Sequence, residues 1–128
     1  MDNFSPPVRL SRMAKDQLTN LKRITRLKQW NVLCRWALCH SLADPSRPAE
    51  HYAAPDTAIE IDWRTFAGEF DTVYLALLRH RCEKDGLGQS PESLQHELRL
   101  HLHRGIASLS GTSSVGSLSD LVKLAKAA

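Results

Sequence analysis

The sequence predicts a mainly α fold, in the form of a small single-domain helical protein of 128 residues. This length allows one domain with a real core, but not two. Apolar residues recur at helical spacing over most of the chain, whereas the alternation typical of strands is confined to short pieces. The hydrophobic content of 42% fits a globular protein and argues against global disorder.

The first third of the chain is predicted to hold two helices behind a short arm. Residues 1–7 form the arm, and residues 8–11 are either a very short strand or the lead-in to a helix. Residues 11–26 form an amphipathic helix, residues 25–29 a break, and residues 30–42 a second helix. Because the second helix is apolar nearly all round, it must be covered on several sides. It is therefore either a central core helix or a subunit interface.

The middle of the chain is predicted to pass from a loop into a third helix. Residues 44–56 contain three prolines and form a loop. Residues 59–63 alternate apolar and acidic side chains, so they form a short extended piece. From Thr65 onward the apolar side chains recur at helical spacing, which predicts a helix that ends near Gly86.

The last part of the chain is predicted to hold a long helix and a short one. Ser90 is an N-cap and Pro91 occupies the first helical position. Residues 110–116 form a loop of small residues, and residues 117–126 form a helix that begins with a capping box in which Asp120 replaces Glu. The apolar stripe of the long helix is Leu94, Leu98, Leu102, Ile106 and Leu109.

We therefore expect one domain in three parts. Residues 1–43 hold the basic helix and the apolar helix, residues 44–64 are a proline-rich loop, and residues 65–128 are a helical half. No apolar run approaches the about 20 residues that span a bilayer. The N-terminus lacks the features of a secretory signal.

The cysteines indicate a reducing compartment. Their number is three, and an odd count without a signal peptide points to reduced thiols in the cytoplasm. We interpret Cys34, Cys39 and Cys82 as small apolar core residues rather than metal ligands. Cys34 and Cys39 are five residues apart, so on a helix they would point to different sides.

Positive charge is concentrated near the N-terminus. Eight of the 17 Lys and Arg residues lie between Arg9 and Arg35, where Asp16 is the only acid, although the formal net charge of the whole chain is only +3. A localised basic stripe on a nearly neutral protein is expected of a protein that binds a phosphate backbone.

The predicted helix over residues 11–26 places this charge on one side. One arc of about 100° contains Arg12, Lys15, Thr19, Lys22, Arg23 and Arg26, and the opposite side contains Leu10, Met13, Ala14, Leu18, Leu21 and Ile24. A solvated face is the ordinary alternative, but such a face usually carries acids spaced to pair with its cations. We call the candidate DNA-binding residues the basic face: Arg12, Lys15, Lys22, Arg23, Arg26 and Lys28.

No catalytic constellation is recognisable in the sequence. Glu60 and Asp62 are paired carboxylates, but no His or Lys is placed with them as an acid–base partner. His96 and His103 are two helical turns apart, and no third residue completes a metal site with them. A Gly-rich phosphate loop and a Ser nucleophile elbow are also absent. We therefore predict a binding protein rather than an enzyme, with no catalytic residue, no metal and no cofactor.

The chain resembles a known family over nearly its whole length. The run RLSRMAKDQLTNLKRIT, from Arg9 to Thr25, followed by NVLCRWALCHSL at residues 31–42, looks like DndE of the bacterial DNA phosphorothioation (Dnd) system. The second block is the most specific part of the resemblance. It reflects helix packing, so it identifies the family without indicating a mechanism. Further likeness lies in FAGEFDTVY at residues 66–74, in HLHRGI at residues 101–106 and in the tail at residues 117–124.

The resemblance implies a small, non-catalytic subunit of a DNA-modifying set. Its companions in that set are a cysteine desulfurase, a sulfurtransferase and an ATPase, which together replace a non-bridging phosphate oxygen with sulfur. The resemblance also implies DNA binding and self-assembly. We therefore expect a cytoplasmic homo-oligomer, with a tetramer as the predicted form, that does not bind membranes. Its expected partners are double-stranded DNA, intact or nicked, and the sulfurtransferase and ATPase subunits.

Residues 1–42 also resemble the ribbon-helix-helix (Met repressor-like) pattern of short ribbon, amphipathic helix, turn and apolar helix. In such repressors a paired ribbon reads bases in the major groove. Pro6 and Pro7 leave almost no ribbon to pair, and Arg26 stands in the turn where a glycine is expected. The alternative function is therefore a ribbon-helix-helix-type transcription regulator, which predicts a dimer with a short palindromic site. A scaffold whose basic face docks an acidic protein is a third alternative.

Overall fold

The computed structural model describes residues 5–111 and 118–127, which form eight helices and two strands. Most of these elements lie close to where hydrophobic periodicity places them. Two of the helices are short 3₁₀ helices, at Glu50–Tyr52 and Gly68–Phe70. The others are β1 (Val8–Leu10), α1 (Arg12–Thr25), α2 (Trp30–Ala43), β2 (Ile59–Ile61), α3 (Trp63–Ala67), α4 (Asp71–Lys84), α5 (Pro91–Gly111) and α6 (Leu118–Ala127).

Helices α2 and α5 pack closely against each other at the centre of the fold. A Cβ atom on Gly105 of α5 would lie 1.9 Å from the carbonyl oxygen of Ala37 on α2, so the two backbones meet where this side chain is absent. Leu33 and Leu38 of α2 are fully buried. Because α1, α3 and α5 all pack on α2, this helix is the central core helix, which is one of the two alternatives that its apolar composition left open.

The strands β1 and β2 form an antiparallel pair within the chain. Val8 lies opposite Ile61, and Leu10 lies opposite Ile59. Val8 and Leu10 are buried, whereas Arg9 points outward and its Nε lies 2.9 Å from Oε1 of Glu60. The short extended pieces predicted near residues 8–11 and 59–63 are therefore partners of each other.

The single helix predicted from Thr65 to Gly86 is wrong, because the chain breaks at Gly68. Gly68 has a φ of 60°, a conformation that glycine adopts without steric cost and that ends α3. A 3₁₀ turn follows, and α4 then runs in a new direction that buries Leu78. The other part of the predicted stripe stays exposed, at Phe70, Val73 and Leu77.

Two residues expected in the core lie at the surface. Met13 is 71% exposed, because α1 buries the neighbouring stripe of Ala14, Leu18, Leu21 and Thr25. Thr25 joins that stripe by donating its hydroxyl hydrogen to the carbonyl of Leu21 at 2.7 Å. Cys39 is exposed on α2, whereas Cys34 and Cys82 are buried as expected.

The C-terminal elements agree with the predicted caps where they are described. The hydroxyl of Ser90 accepts from the amide of Ser93 at 3.1 Å, which confirms the N-cap of α5. This helix continues through Gly111, two residues into the predicted loop. Helix α6 packs against α1 and buries Leu121, while its predicted cap at Ser117 and the rest of that loop lie outside the described residues. Within the described ranges, we find no helix with the length and apolarity of a membrane span.

Candidate nucleic-acid interface

The N-terminal end of α1 is fixed by one capping bond and two long-range bonds. The hydroxyl of Ser11 accepts from the amide of Ala14 at 3.1 Å. The amide of Ser11 donates to Nε2 of His103 on α5 at 3.1 Å, and the amide of Arg12 donates to Oδ2 of Asp56 at 2.8 Å. Because free amides at a helix start need partners, these bonds anchor α1 to the core and to the loop before β2.

The C-terminal end of α1 turns sharply at a basic residue. Arg26 adopts the left-handed conformation, with a φ of 63°, and its amide donates to the carbonyl of Lys22 at 2.9 Å. Glycine is the usual residue at this position, because it has no Cβ atom that clashes in the left-handed conformation. Lys22 and Arg23 lie in the last turn, where positive charge interacts favourably with the helix dipole.

All six residues of the basic face have solvent-accessible side chains. Lys15 and Lys22 are half-buried, and the other four are exposed. Five of the six lie on α1 or at its C-cap, and Lys28 lies in the connection to α2. The structure therefore brings these cations together along one helix and the turn that follows it.

The contacts of the basic face within the chain are weak or uncharged. Nε of Arg12 lies 3.6 Å from Oδ1 of Asp16, but both side chains are more than two-thirds exposed, so the pair contributes little to stability. Nζ of Lys22 lies 4.5 Å from the ring centroid of Trp30, a cation–π contact. Nη2 of Arg23 donates to the amide oxygen of Asn20 at 2.7 Å.

Several arginines elsewhere in the chain are committed to internal bonds. Arg99 donates to the carbonyls of Arg9, Ala54 and Asp56. Burial lowers the pKa of Arg99 and of Arg104. Sequence reasoning missed these roles because the bonded residues lie far apart along the chain.

Arg81 and Arg104 serve the same internal purpose around the turn after α2. Arg81 donates to the carbonyl of Leu42 at 3.0 Å and to that of Ser46. Arg104 also donates to the carbonyl of Ser46, and to the carbonyl of Ser41 at 2.8 Å. These guanidinium groups hold the proline-rich loop onto the core. These arginines are therefore committed to the fold, whereas the six cations of the basic face keep accessible side chains.

The histidines considered as metal ligands in the sequence are engaged elsewhere. Nε2 of His96 lies 2.7 Å from Oε2 of Glu50. His103 accepts from Ser11, and its Nδ1 lies 2.8 Å from the carbonyl of Arg99. Both rings therefore form contacts that connect α5 to other parts of the chain, and they do not form a metal site together.

Comparison with known proteins identifies the family of this chain. The family described as DNA sulphur modification protein DndE matches residues 7–117 of the 128. The matched region covers everything from β1 to the end of α5, including the whole basic face. Comparison with curated protein sequences returns no match. The chain belongs to the DndE family, and this membership supports a role in the DNA sulphur modification system.

Proposed function

We propose that this chain is the DNA-binding, non-catalytic subunit of the DNA sulphur modification system. It binds the phosphate backbone of duplex DNA, intact or nicked, through the basic face of α1. The observation that carries the proposal is the division of the cations. The six of the basic face keep solvent-accessible side chains, whereas Arg81, Arg99 and Arg104 are used inside the chain. Contacts of this kind position a protein on DNA and carry no base sequence information.

The proposal includes partners and self-assembly. Family membership makes the sulfurtransferase and the ATPase of the system plausible partners in the cytoplasm. A tetramer of the chain would combine several basic faces into one larger surface. The exposed side chains of Phe70, just before α4, and of Val73 and Leu77 on α4 support self-assembly, because exposed apolar side chains at a protein surface are a common interaction site.

The ribbon-helix-helix regulator remains the competing hypothesis, and two observations weigh against it. In such regulators the ribbon pairs between two subunits, whereas β1 pairs with β2 of the same chain. The side chain of Arg9, which would read bases, forms an ion pair with Glu60 at 2.9 Å. That hypothesis requires strong preference for one palindromic site and loss of that preference when Arg9 is changed.

The test is a charge reversal on the basic face. We expect Lys22→Glu/Arg26→Glu to weaken binding to a fluorescently labelled duplex about tenfold or more, because two phosphate contacts become repulsive. The matched control is Arg64→Glu/Lys84→Glu, which makes the same charge change at exposed residues of α3 and α4. Anisotropy titrations at one salt concentration compare the two variants.

Three outcomes separate the hypotheses. Loss of binding in the first variant, and not in the control, supports the basic face. Equal affinity of the first variant and the unaltered protein would contradict it. A wide range of affinities across unrelated duplexes, abolished by Arg9→Ala, would instead establish the regulator.

A further inference from the structure

A buried polar cluster joins the end of α4 to the middle of α5. One carboxylate oxygen of Asp85, one of Glu97 and one ring nitrogen of His101 all lie within 4.8 Å of one another. Glu97 and His101 are one helical turn apart on α5, so they share a face, and Asp85 caps the C-terminal end of α4. Glu97 is 4% exposed, and His101 is fully buried.

The imidazole of His101 has one partnered and one unpartnered nitrogen. Nδ1 lies 2.9 Å from the hydroxyl oxygen of Ser41 on α2. Nε2 is a buried side-chain atom without a hydrogen-bond partner among the described residues. Leaving such an atom unpaired is unfavourable, so the cluster gains from a group that bonds it. Burial lowers the pKa of His101 to about 4, so the ring is neutral at pH 7.

We propose that Asp85, Glu97 and His101 bind one divalent transition-metal ion, with Zn²⁺ as the best match. Imidazole nitrogen and carboxylate oxygen are both zinc ligands. Bonds of about 2.1 Å place tetrahedral ligand atoms about 3.4 Å apart, so the three side chains must draw together on binding. The ion ties α4 to α5 and, through Ser41, to α2. Its role is structural and independent of DNA binding.

Two arginines that contact the carboxylates limit the affinity of this site. Nε of Arg81 lies 3.0 Å from Oδ2 of Asp85, and Nη2 of Arg47 lies 2.6 Å from Oε2 of Glu97. Each carboxylate oxygen keeps a second lone pair, so these bonds are compatible with a metal bond, but the guanidinium charges repel the ion. Arg47 is the accessible one of the two, because its side chain is 36% exposed.

A surface cavity gives the ion a route to Glu97. This cavity has a volume of about 260 Å³, and its lining includes Arg47, Glu97 and His96. The cavity therefore leads the ion to the Glu97 carboxylate. Removal of the Arg47 charge should strengthen binding, which an ion-pair network with no metal function would not predict.

The experiment measures Zn²⁺ uptake by the full-length chain after treatment with EDTA. All proteins carry Cys39→Ser, because thiolates bind zinc and the exposed Cys39 would compete with the proposed site for Zn²⁺. Calorimetry should detect one saturable equivalent of Zn²⁺, and the same metal should raise the thermal unfolding midpoint. Glu97→Gln and His101→Gln should each weaken binding at least about tenfold, and Arg47→Gln should strengthen it several-fold. His80→Gln removes an exposed histidine of α4 and is the matched control.

Two results would overturn the proposal. One is the absence of saturable uptake in the parent protein. The other is uptake that responds to His80→Gln but not to Glu97→Gln or His101→Gln. Circular dichroism establishes that each variant is folded, and if His101→Gln does not fold, the opposite effects expected of Glu97→Gln and Arg47→Gln decide the question.

Discussion

At the scale of single residues, Arg26 combines a backbone cost with a charge that we propose binds DNA. A residue with a Cβ atom in the left-handed region costs about 1–2 kcal/mol relative to the usual conformations. The position ends α1 and lies next to the turn that carries Lys28. The sequence indicated a break near Arg26, but it could not show the positive φ, because the glycine that usually signals this conformation is missing.

Arg26→Gly separates the two contributions of Arg26. We expect this variant to raise the free energy of unfolding by about 1 kcal/mol, because glycine adopts the left-handed conformation freely. Arg26→Ala keeps the Cβ atom and should not be more stable than the unaltered protein. Both variants should lose DNA affinity equally, since each removes one cation. Denaturant unfolding and DNA titration measure the two effects, and equal stability of the variants would refute the backbone account.

The three thiols should differ sharply in reactivity. Burial raises the pKa of Cys34 to about 12 and that of Cys82 to about 11, so both remain protonated and shielded at neutral pH. Cys39 is exposed, although partial burial raises its pKa as well. We expect an aromatic disulfide reagent to modify one thiol in the folded protein and all three after denaturation. Cys39→Ser should abolish the native-state reaction, and persistence of that reaction would show that a buried thiol is reached.

At the scale of elements, hydrophobic periodicity predicted the helices whose apolar pattern is continuous along the sequence. The predicted boundaries of α1 and α2 agree with the structure to one residue, because each has a continuous pattern and a clear cap or break. The region around α3 and α4 was mispredicted, because apolar spacing continued across Gly68 although the backbone did not. The pairing of β1 with β2 was also beyond the sequence, since about 50 residues separate the two pieces.

The close crossing of α2 and α5 depends on the absence of a side chain at Gly105. Gly105→Ala places a methyl group 1.9 Å from the carbonyl oxygen of Ala37, so the helices must separate. We expect a loss of about 3 kcal/mol or more in unfolding free energy, at the upper end of the usual cost of overpacking. Gly111→Ala is the matched control, because nothing lies within 4 Å of its added methyl group. Thermal or denaturant unfolding measures the stability of both variants, and similar stability of the two would contradict the close crossing.

At the scale of the whole molecule, charge is divided between holding the fold and facing solvent. The sequence predicted which cations cluster, because neighbours on a helix are set by local spacing. It could not predict that Arg99 would bond to Arg9, 90 residues away, since such contacts depend on the tertiary fold. The candidate interface was therefore predictable, whereas the internal arginines and the Asp85–Glu97–His101 cluster were not.

Self-assembly is testable through the exposed apolar side chains of α4. Val73 and Leu77 are 51% and 39% exposed and lie one helical turn apart. We expect Val73→Glu/Leu77→Glu to reduce the mass measured by light scattering from that of the proposed tetramer to a smaller species, because buried unpaired charges oppose association. Thr72→Glu/His80→Glu, at exposed residues of the same helix, should leave the mass unchanged. An unchanged mass in the first variant would place the interface elsewhere.

The central claim is that the basic face neutralises DNA phosphates, and its most direct test is the salt dependence of binding. Affinity would be measured for an intact and a singly nicked duplex of the same sequence across a salt series. Neutralisation of five phosphates predicts that the logarithm of affinity falls with the logarithm of salt with a slope of about −4 to −5. Higher affinity for the nicked duplex would support a role at a modification intermediate. Absence of binding at physiological salt, or a slope that Lys22→Glu/Arg26→Glu leaves unchanged, would contradict the account.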